Sequence, residues 1–160
     1  MRASRKSRKL RSSGDIRMLA PVASSSQEST LAGPGSIDIS AARLYPAAQA
    51  RGRIVAGVPA IGPSGLPSWE SPEAVLRIHG VGGAAQALPD SAFGSLELVA
   101  ATVVQGGTVQ APWGRVQLGG SEFSTQRAGR VELLAGSVTS ISGAGLTLPF
   151  GGTVDGVTWR

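Results

Sequence analysis

The chain has 160 residues, of which 41% are hydrophobic, only 4% aromatic and 16% charged; Gly (23) and Pro (10) are abundant. It contains no Cys and no Asn, which excludes a disulfide scaffold, a zinc–thiolate site, a cysteine nucleophile and an N-glycosylation sequon. No stretch approaches the ~20 apolar residues of a membrane span. A Gly-rich, aromatic-poor, weakly charged chain points away from a helical bundle or an α/β enzyme and toward repetitive β structure.

The net charge of +5 is concentrated at the start. Residues 1–11 hold Arg2, Arg5, Lys6, Arg8, Lys9 and Arg11 and no acid, whereas the rest of the chain carries nine basic and ten acidic residues. Like charges repel and nothing apolar is available to bury, so residues 1–13 are expected to form a solvated, disordered tail. Three readings of it stand: an incidental basic terminus, a nucleic-acid arm whose Lys and Arg neutralise phosphates, or a transit peptide rich in Arg and Ser. A secretory signal would need an apolar run after the basic residues. Here the tail passes into Ser12-Ser13-Gly14-Asp15, so no export signal is expected in the chain as written.

From Gly14 a short template recurs: Gly, any residue, aliphatic, polar, aliphatic, often then Ala. It starts at Gly14, Gly35, Gly94, Gly114 and Gly129, with a weaker copy at Ala74, and the Gly steps are 21, 59, 20 and 15 residues. The alternation puts Ile37 and Ile39, or Leu96 and Leu98, on one face of a strand. Gly before each strand suits a corner taken at positive φ. A unit of ~20 residues cannot bury its own apolar face and must stack on its neighbours. The pattern therefore predicts an all-β fold, a parallel β-helix solenoid of ~20-residue coils over residues 14–160, with about seven coils stacked at ~4.8 Å. A small antiparallel barrel or sandwich is the competing architecture. Against it, Asp155-Gly156 is the one good hairpin signal.

Two stretches interrupt the template. Residues 46–73 carry Pro46, Pro59, Pro63, Pro67 and Pro72, and because Pro is excluded from central strands they are expected to form a loop excursion from the rod. Trp69 would either cover the rod's flank or present a contact. Residues 21–34 form a smaller polar insertion.

The Gly-x-aliphatic-x-aliphatic-x-Ala copies resemble those of the filamentous haemagglutinin family, very large exoproteins exported by two-partner secretion. The resemblance is loose over residues 14–160 and more specific over residues 129–159. Its strongest part is Gly145-Leu-Thr-Leu-Pro-Phe-Gly-Gly-Thr153. It implies a right-handed β-helical shaft, an extracellular or cell-surface location, an outer-membrane secretion partner for the parent protein, and adhesion to host cells, matrix or neighbouring bacteria. The Asn-Pro-Asn motifs of the family's secretion domain are missing, and Arg51-Gly52-Arg53 lacks the carboxylate of an Arg-Gly-Asp motif. The chain is accordingly expected to be an internal or late fragment of such an adhesin.

Catalytic chemistry is poorly represented. His79 is the single His, and in Leu76-Arg77-Ile78-His79 it falls on the outward side, so no His-pair metal site is available. No Gly-x-Ser-x-Gly elbow presents a serine, and Gly80-Val-Gly-Gly83 lacks the Lys-Ser/Thr partner of a phosphate loop. Asp38, Glu97 and Glu132 occupy equivalent outward positions of three copies and would stack in a column with Arg17, Arg77 and Gln117 on one face. No catalytic, cofactor-binding or metal-ligating residues are expected, and no single binding residue is assigned. Three functions remain open: a non-enzymatic structural and adhesive shaft that self-associates through open coil ends, a β-helical polysaccharide-acting enzyme, and a nucleic-acid-binding protein using the basic tail.

Overall fold

Alternation of aliphatic and polar residues sets short strands whose apolar rows share one interior. The computed structural model describes residues 7–20, 28–82, 88–89, 91–120, 126–147, 153–154 and 157–158. In chain order, β1 (Arg8–Arg11), β2 (Ile16–Met18) and β3 (Glu28–Gly33) make one round, and β4 (Ile37–Ala41), β5 (Leu44–Pro46) and β6 (Arg51–Ala56) a second. A hairpin of β7 (Pro59–Ile61) and β8 (Pro67–Trp69) follows. The third round has only β9 (Val75–Gly80) and β10 (Ser95–Ala100). Next come β11 (Thr102–Gly106), β12 (Thr108–Gln110) and β13 (Arg115–Leu118), then β14 (Arg130–Leu133) and β15 (Val138–Ser140). The short strands β16 (Thr153–Val154) and β17 (Val157–Thr158) pair antiparallel; the hairpin signal Asp155-Gly156 lies outside the described residues. There is no helix among the described residues.

Three sheets collect these strands: a first of order β1-β4-β9-β11-β14, a second of order β15-β12-β5-β2 and a third of order β13-β10-β6-β3. Every pairing within them is parallel. The chain visits first, second and third sheet in fixed rotation. Among the described residues only the third round has no second-sheet strand, and there β5 and β12 pair directly through Leu44 and Val109. The fold is thus all-β with parallel sheets, as the alternation predicts, and the antiparallel architecture is absent from the three main sheets.

The register defines the core. On the first sheet Ile37, Leu76, Val103 and Val131 align, and beside them Ile39, Ile78, Gln105 and Leu133. Leu31, Ile54, Leu98 and Leu118 align on the third sheet. The fully buried members of these rows meet Leu44 and Val109 of the second sheet in one cluster without a single aromatic ring. Gln105 is the polar exception. Fully buried, it accepts from Gly107 N–H at 3.0 Å and donates to Gly107 O at 3.1 Å, Val138 O at 2.9 Å and Thr139 Oγ1 at 3.2 Å. It thereby satisfies the backbone at the corner between first and second sheets.

Several sequence expectations change in detail. Successive first-sheet partners are Arg8, Ile37, Leu76, Val103 and Val131, steps of 29, 39, 27 and 28 residues rather than ~20, so the first sheet has five levels. Each copy of the template marks a single strand, not a whole round: the copy at Gly14 leads into the second sheet, those at Gly35, Ala74 and Gly129 into the first, and those at Gly94 and Gly114 into the third. The step of 20 between Gly94 and Gly114 is the only one that joins neighbouring strands. Nor do those leading glycines turn at positive φ, a conformation taken instead by Gly57, Gly65, Gly119, Gly136 and Gly145. What Gly114 provides is room, because a Cβ there would overlap the Gly94 carbonyl in the level beside it.

Part of the expected tail is a strand. Residues 1–6 lie outside the described residues, but Arg8–Arg11 form β1, an edge strand paired with β4. Leu10 gives it a reason to order, since it packs on the core cluster beside Ile39, and Ser7 Oγ donates to Asp38 Oδ2 at 2.8 Å. One level on, Arg43 grips Asp15 through Nε at 3.1 and 3.2 Å and Nη2 at 2.6 Å, with its guanidinium 5.6 Å from the Tyr45 ring centre. The excursion is narrower too: β5 and β6 belong to the main sheets, leaving residues 57–74 between β6 and β9. Of the polar insertion, residues 28–33 are β3, and residues 21–27 lie outside the described residues.

Candidate functional site

The outer face of the third sheet gathers the densest set of chemistry-bearing side chains. One outward row runs Glu28, Arg51, Ser95, Arg115, and the next Thr30, Arg53, Glu97, Gln117. Parallel pairing without a bulge stacks these residues a strand spacing apart, ~4.8 Å, so Arg53 Nε stands 3.6 Å from Glu97 Oε2. Glu97 is 7% exposed although it points away from the core. Glu28, Arg51, Arg53, Ser95 and Glu97 line a narrow cleft. Beside it lies an open-sided hollow of about 460 Å³, lined mainly by Ala32, Pro34, Val55, Val58 and Pro59, with Thr30 and Arg53 at its rim.

Two segments at the corner between third and first sheets come together beside this face. Residues 57–74 carry the β7–β8 hairpin, and residues 119–120 and 126–129 are the described part of the stretch between β13 and β14. They meet: Trp69 Nε1 donates to Arg127 O at 3.0 Å, and Gln126 Nε2 to Ala60 O at 2.8 Å. Val55 and Val99, which the register turns outward, are 6% and 0% exposed. Trp69, half-buried, lies beside Gly57, where an added Cβ would stand 3.4 Å from its ring. At the hairpin's far end, however, Ile61 and Leu66 are each 66% exposed.

The opposite corner, where the chain enters the third sheet, carries an aromatic pair. Phe93 and Trp113 stand two residues before β10 and β13, and their rings stack with centroids 6.2 Å apart and planes at 28°. They are 56% and 39% exposed. Gly143 packs onto the Trp113 ring so closely that a Cβ would penetrate it.

The single column of acids and bases does not form, because its members sit on three sheets. Asp38 lies between Lys9 and Arg77 on the first sheet, 3.7 Å from Arg77 Nη1, while Val104 separates Arg77 from Glu132. Glu132 pairs with Arg130 instead. Glu97 and Gln117 are on the third sheet, and Arg17 is on the second beside Tyr45. His79 is exposed and its register partners are Ser40 and Gly106, neither of them acidic. Among the described residues no three His, Cys, Asp or Glu side chains gather as a metal site, and no helix is long and apolar enough to cross a membrane.

The third-sheet face was not separable in the sequence, where Arg51, Ser95 and Arg115 stand in unrelated contexts. The hairpin tip did leave a trace, since Pro63-Ser64-Gly65 between Ile61 and Leu66 is a turn signal. The strongest family signal, Gly145–Thr153, falls largely on residues 148–152, outside the described residues. No family model, curated protein or solved structure matches this chain.

Proposed function

We propose that the chain is a stretch of right-handed parallel β-helix serving as a non-enzymatic structural and adhesive shaft in a filamentous haemagglutinin-like surface protein. The observation that carries this reading is the rotation of strands through three parallel sheets, round after round, with each main-sheet neighbour drawn from the next available round. Such a stack presents broad flat faces, suited to contacts spread over several levels. The third-sheet face, with alternating donors and acceptors from Arg51, Arg53, Ser95, Glu97, Arg115 and Gln117, is the adhesive surface in this reading. In the family the resemblance suggests, the parent protein acts outside the cell after crossing the outer membrane through a secretion partner.

Saturable binding of the purified chain to host-cell, matrix or bacterial surfaces tests the reading. Binding is expected to weaken severalfold in Arg51→Ala/Arg115→Ala, whose exposed side chains leave the core intact. Release of reducing ends from pectin or other glycans would instead favour a sugar-cleaving enzyme, and no such turnover is expected. Surface binding unchanged by these substitutions would remove the third sheet from the adhesive role.

A further inference from the structure

At the corner where the chain enters the third sheet, Gln49, Phe93 and Trp113 stand two residues before Arg51, Ser95 and Arg115, which are register partners. The three therefore form a column, one per round, and among the described residues no other non-glycine residue takes a positive φ. Glycine would adopt that backbone without strain, so bulky side chains are kept there at a cost, and strain of this kind gathers at sites that hold ligands. The chain has three Trp, three Phe and one Tyr. None enters the core cluster, whereas Phe93 and Trp113 stack in the open, 56% and 39% exposed. The two ends of the stack differ. Gly143 closes the far face of Trp113, while the other face of Phe93 looks toward the level of Gln49, whose side chain is exposed.

A flat ring laid on Phe93 extends the stack by one member, at the level of Arg51. The residues on either side of the column are Ala48 and Ala50, Ala92 and Gly94, Pro112 and Gly114, none with a polar side chain. A hydroxyl-rich sugar would find few hydrogen-bond partners there, whereas a base needs none on its π-face. Cations stand beside the column. Arg51 and Arg115, both exposed, follow Gln49 and Trp113 by about 6.6 Å along their strands and lie about 9.6 Å apart across Ser95. Two cations at that separation suit a polymer with a charge on every unit better than a lone anion. Glu28 ends the row beyond Arg51, which limits the track to these levels. We propose that this corner binds single-stranded nucleic acid, one base stacking on Phe93 while neighbouring phosphates pair with Arg51 and Arg115. Such stacking is tolerant of sequence, because every base has a π-face, and Gln49 offers its amide to the edge of the stacked base. The inference goes beyond the adhesive reading: it shares two arginines with that face and adds an aromatic column that adhesion does not call on.

Fluorescence anisotropy with a labelled oligothymidylate of about ten nucleotides tests this in the full chain. The wild type is expected to bind it about tenfold more tightly than an abasic strand of the same length, the contribution of one stacked base. Phe93→Asn removes the ring but suits the left-handed backbone. It is expected to lose that preference while keeping a cooperative thermal melt, which shows that the variant folds, and Phe93→Tyr is expected to retain it. Arg51→Ala/Arg115→Ala is expected to flatten the slope of log K against log salt by about 1.4, two phosphates at ~0.7 each. Arg5→Ser/Lys6→Ser controls for the basic N-terminus and is expected to weaken both strands alike. Equal affinity for the abasic strand, a preference that survives Phe93→Asn, or a salt slope unmoved by the arginine substitutions would overturn the proposal. So would tighter binding of oligogalacturonate than of the oligothymidylate, or no binding at ~1 mM. Base preference and surface adhesion are read in separate assays, and Phe93→Asn leaves the third-sheet rows intact, so the two readings fail separately.

Discussion

Three consecutive rounds enter the third sheet through a left-handed residue that is not glycine: Gln49 at φ 59°, Phe93 at φ 59° and Trp113 at φ 48°. Such a backbone costs on the order of 1–3 kcal/mol for a bulky side chain. It persists here because each N–H reaches the next round, Gln49 to Ala92 O, Phe93 to Pro112 O and Trp113 to Ile141 O, while the stacked rings return ~0.5–1.5 kcal/mol. The residue that follows Trp113 is Gly114, and its crowding gives a sharp prediction. Gly114→Ala must displace the Gly94 backbone and is expected to cost about 3 kcal/mol. Gly129→Ala meets nothing nearer than 3.8 Å and is expected to change stability by less than about 0.5 kcal/mol. Urea denaturation of the two variants separates a leading glycine required for room from one that is not. By the same assay Gln105→Ala is expected to lose about 2–4 kcal/mol, since it leaves the buried Gly107 N–H unsatisfied and opens a cavity in the core.

At the scale of elements, the aliphatic alternation made the strands and their inward faces legible, from Ile37 and Ile39 through Leu96 and Leu98. It left their grouping obscure. A strand's periodicity says which side is apolar but not which of three sheets receives it, so copies bound for different sheets resembled successive coils. The third-sheet site was illegible for the same reason: Arg53 and Glu97 lie 44 residues apart and meet only through the register. The clasp between the two corner segments was equally hidden, because Trp69 and Arg127 are joined by one side-chain-to-backbone bond across 58 residues. Trp69→Phe keeps the ring and deletes that bond. Hydrogen exchange is expected to quicken in residues 58–70 and 126–128 while the amides of β9 and β11 stay protected, with a stability loss of about 1 kcal/mol. Uniform acceleration throughout the first sheet would show the clasp to be part of the cooperative core.

For the whole molecule the two ends differ. β1 presents Arg8, Lys9 and Arg11 on its edge strand, and edge charges discourage pairing with another chain. The other end exposes Val131, Leu133, Leu134, Val138 and Ile141, at 43% to 63%. A core of aliphatics alone, open at that end, is expected to melt below about 60 °C, with exchange slowest in β9, β10 and β11 and fastest in β1, β14 and β15. A cooperative transition well above that temperature would show that the ends are held more firmly than their exposure implies.

The third round, which has no second-sheet strand among the described residues, also makes the sheets unequal in length. Between β1 and β14 the first sheet spans four strand spacings, whereas the second spans three between β2 and β15. One flank is therefore shorter than the other by about one spacing, ~4.8 Å. A stack with one wedge-shaped layer is not straight, so a filament built as proposed from this segment would bend toward the second sheet between β9 and β10.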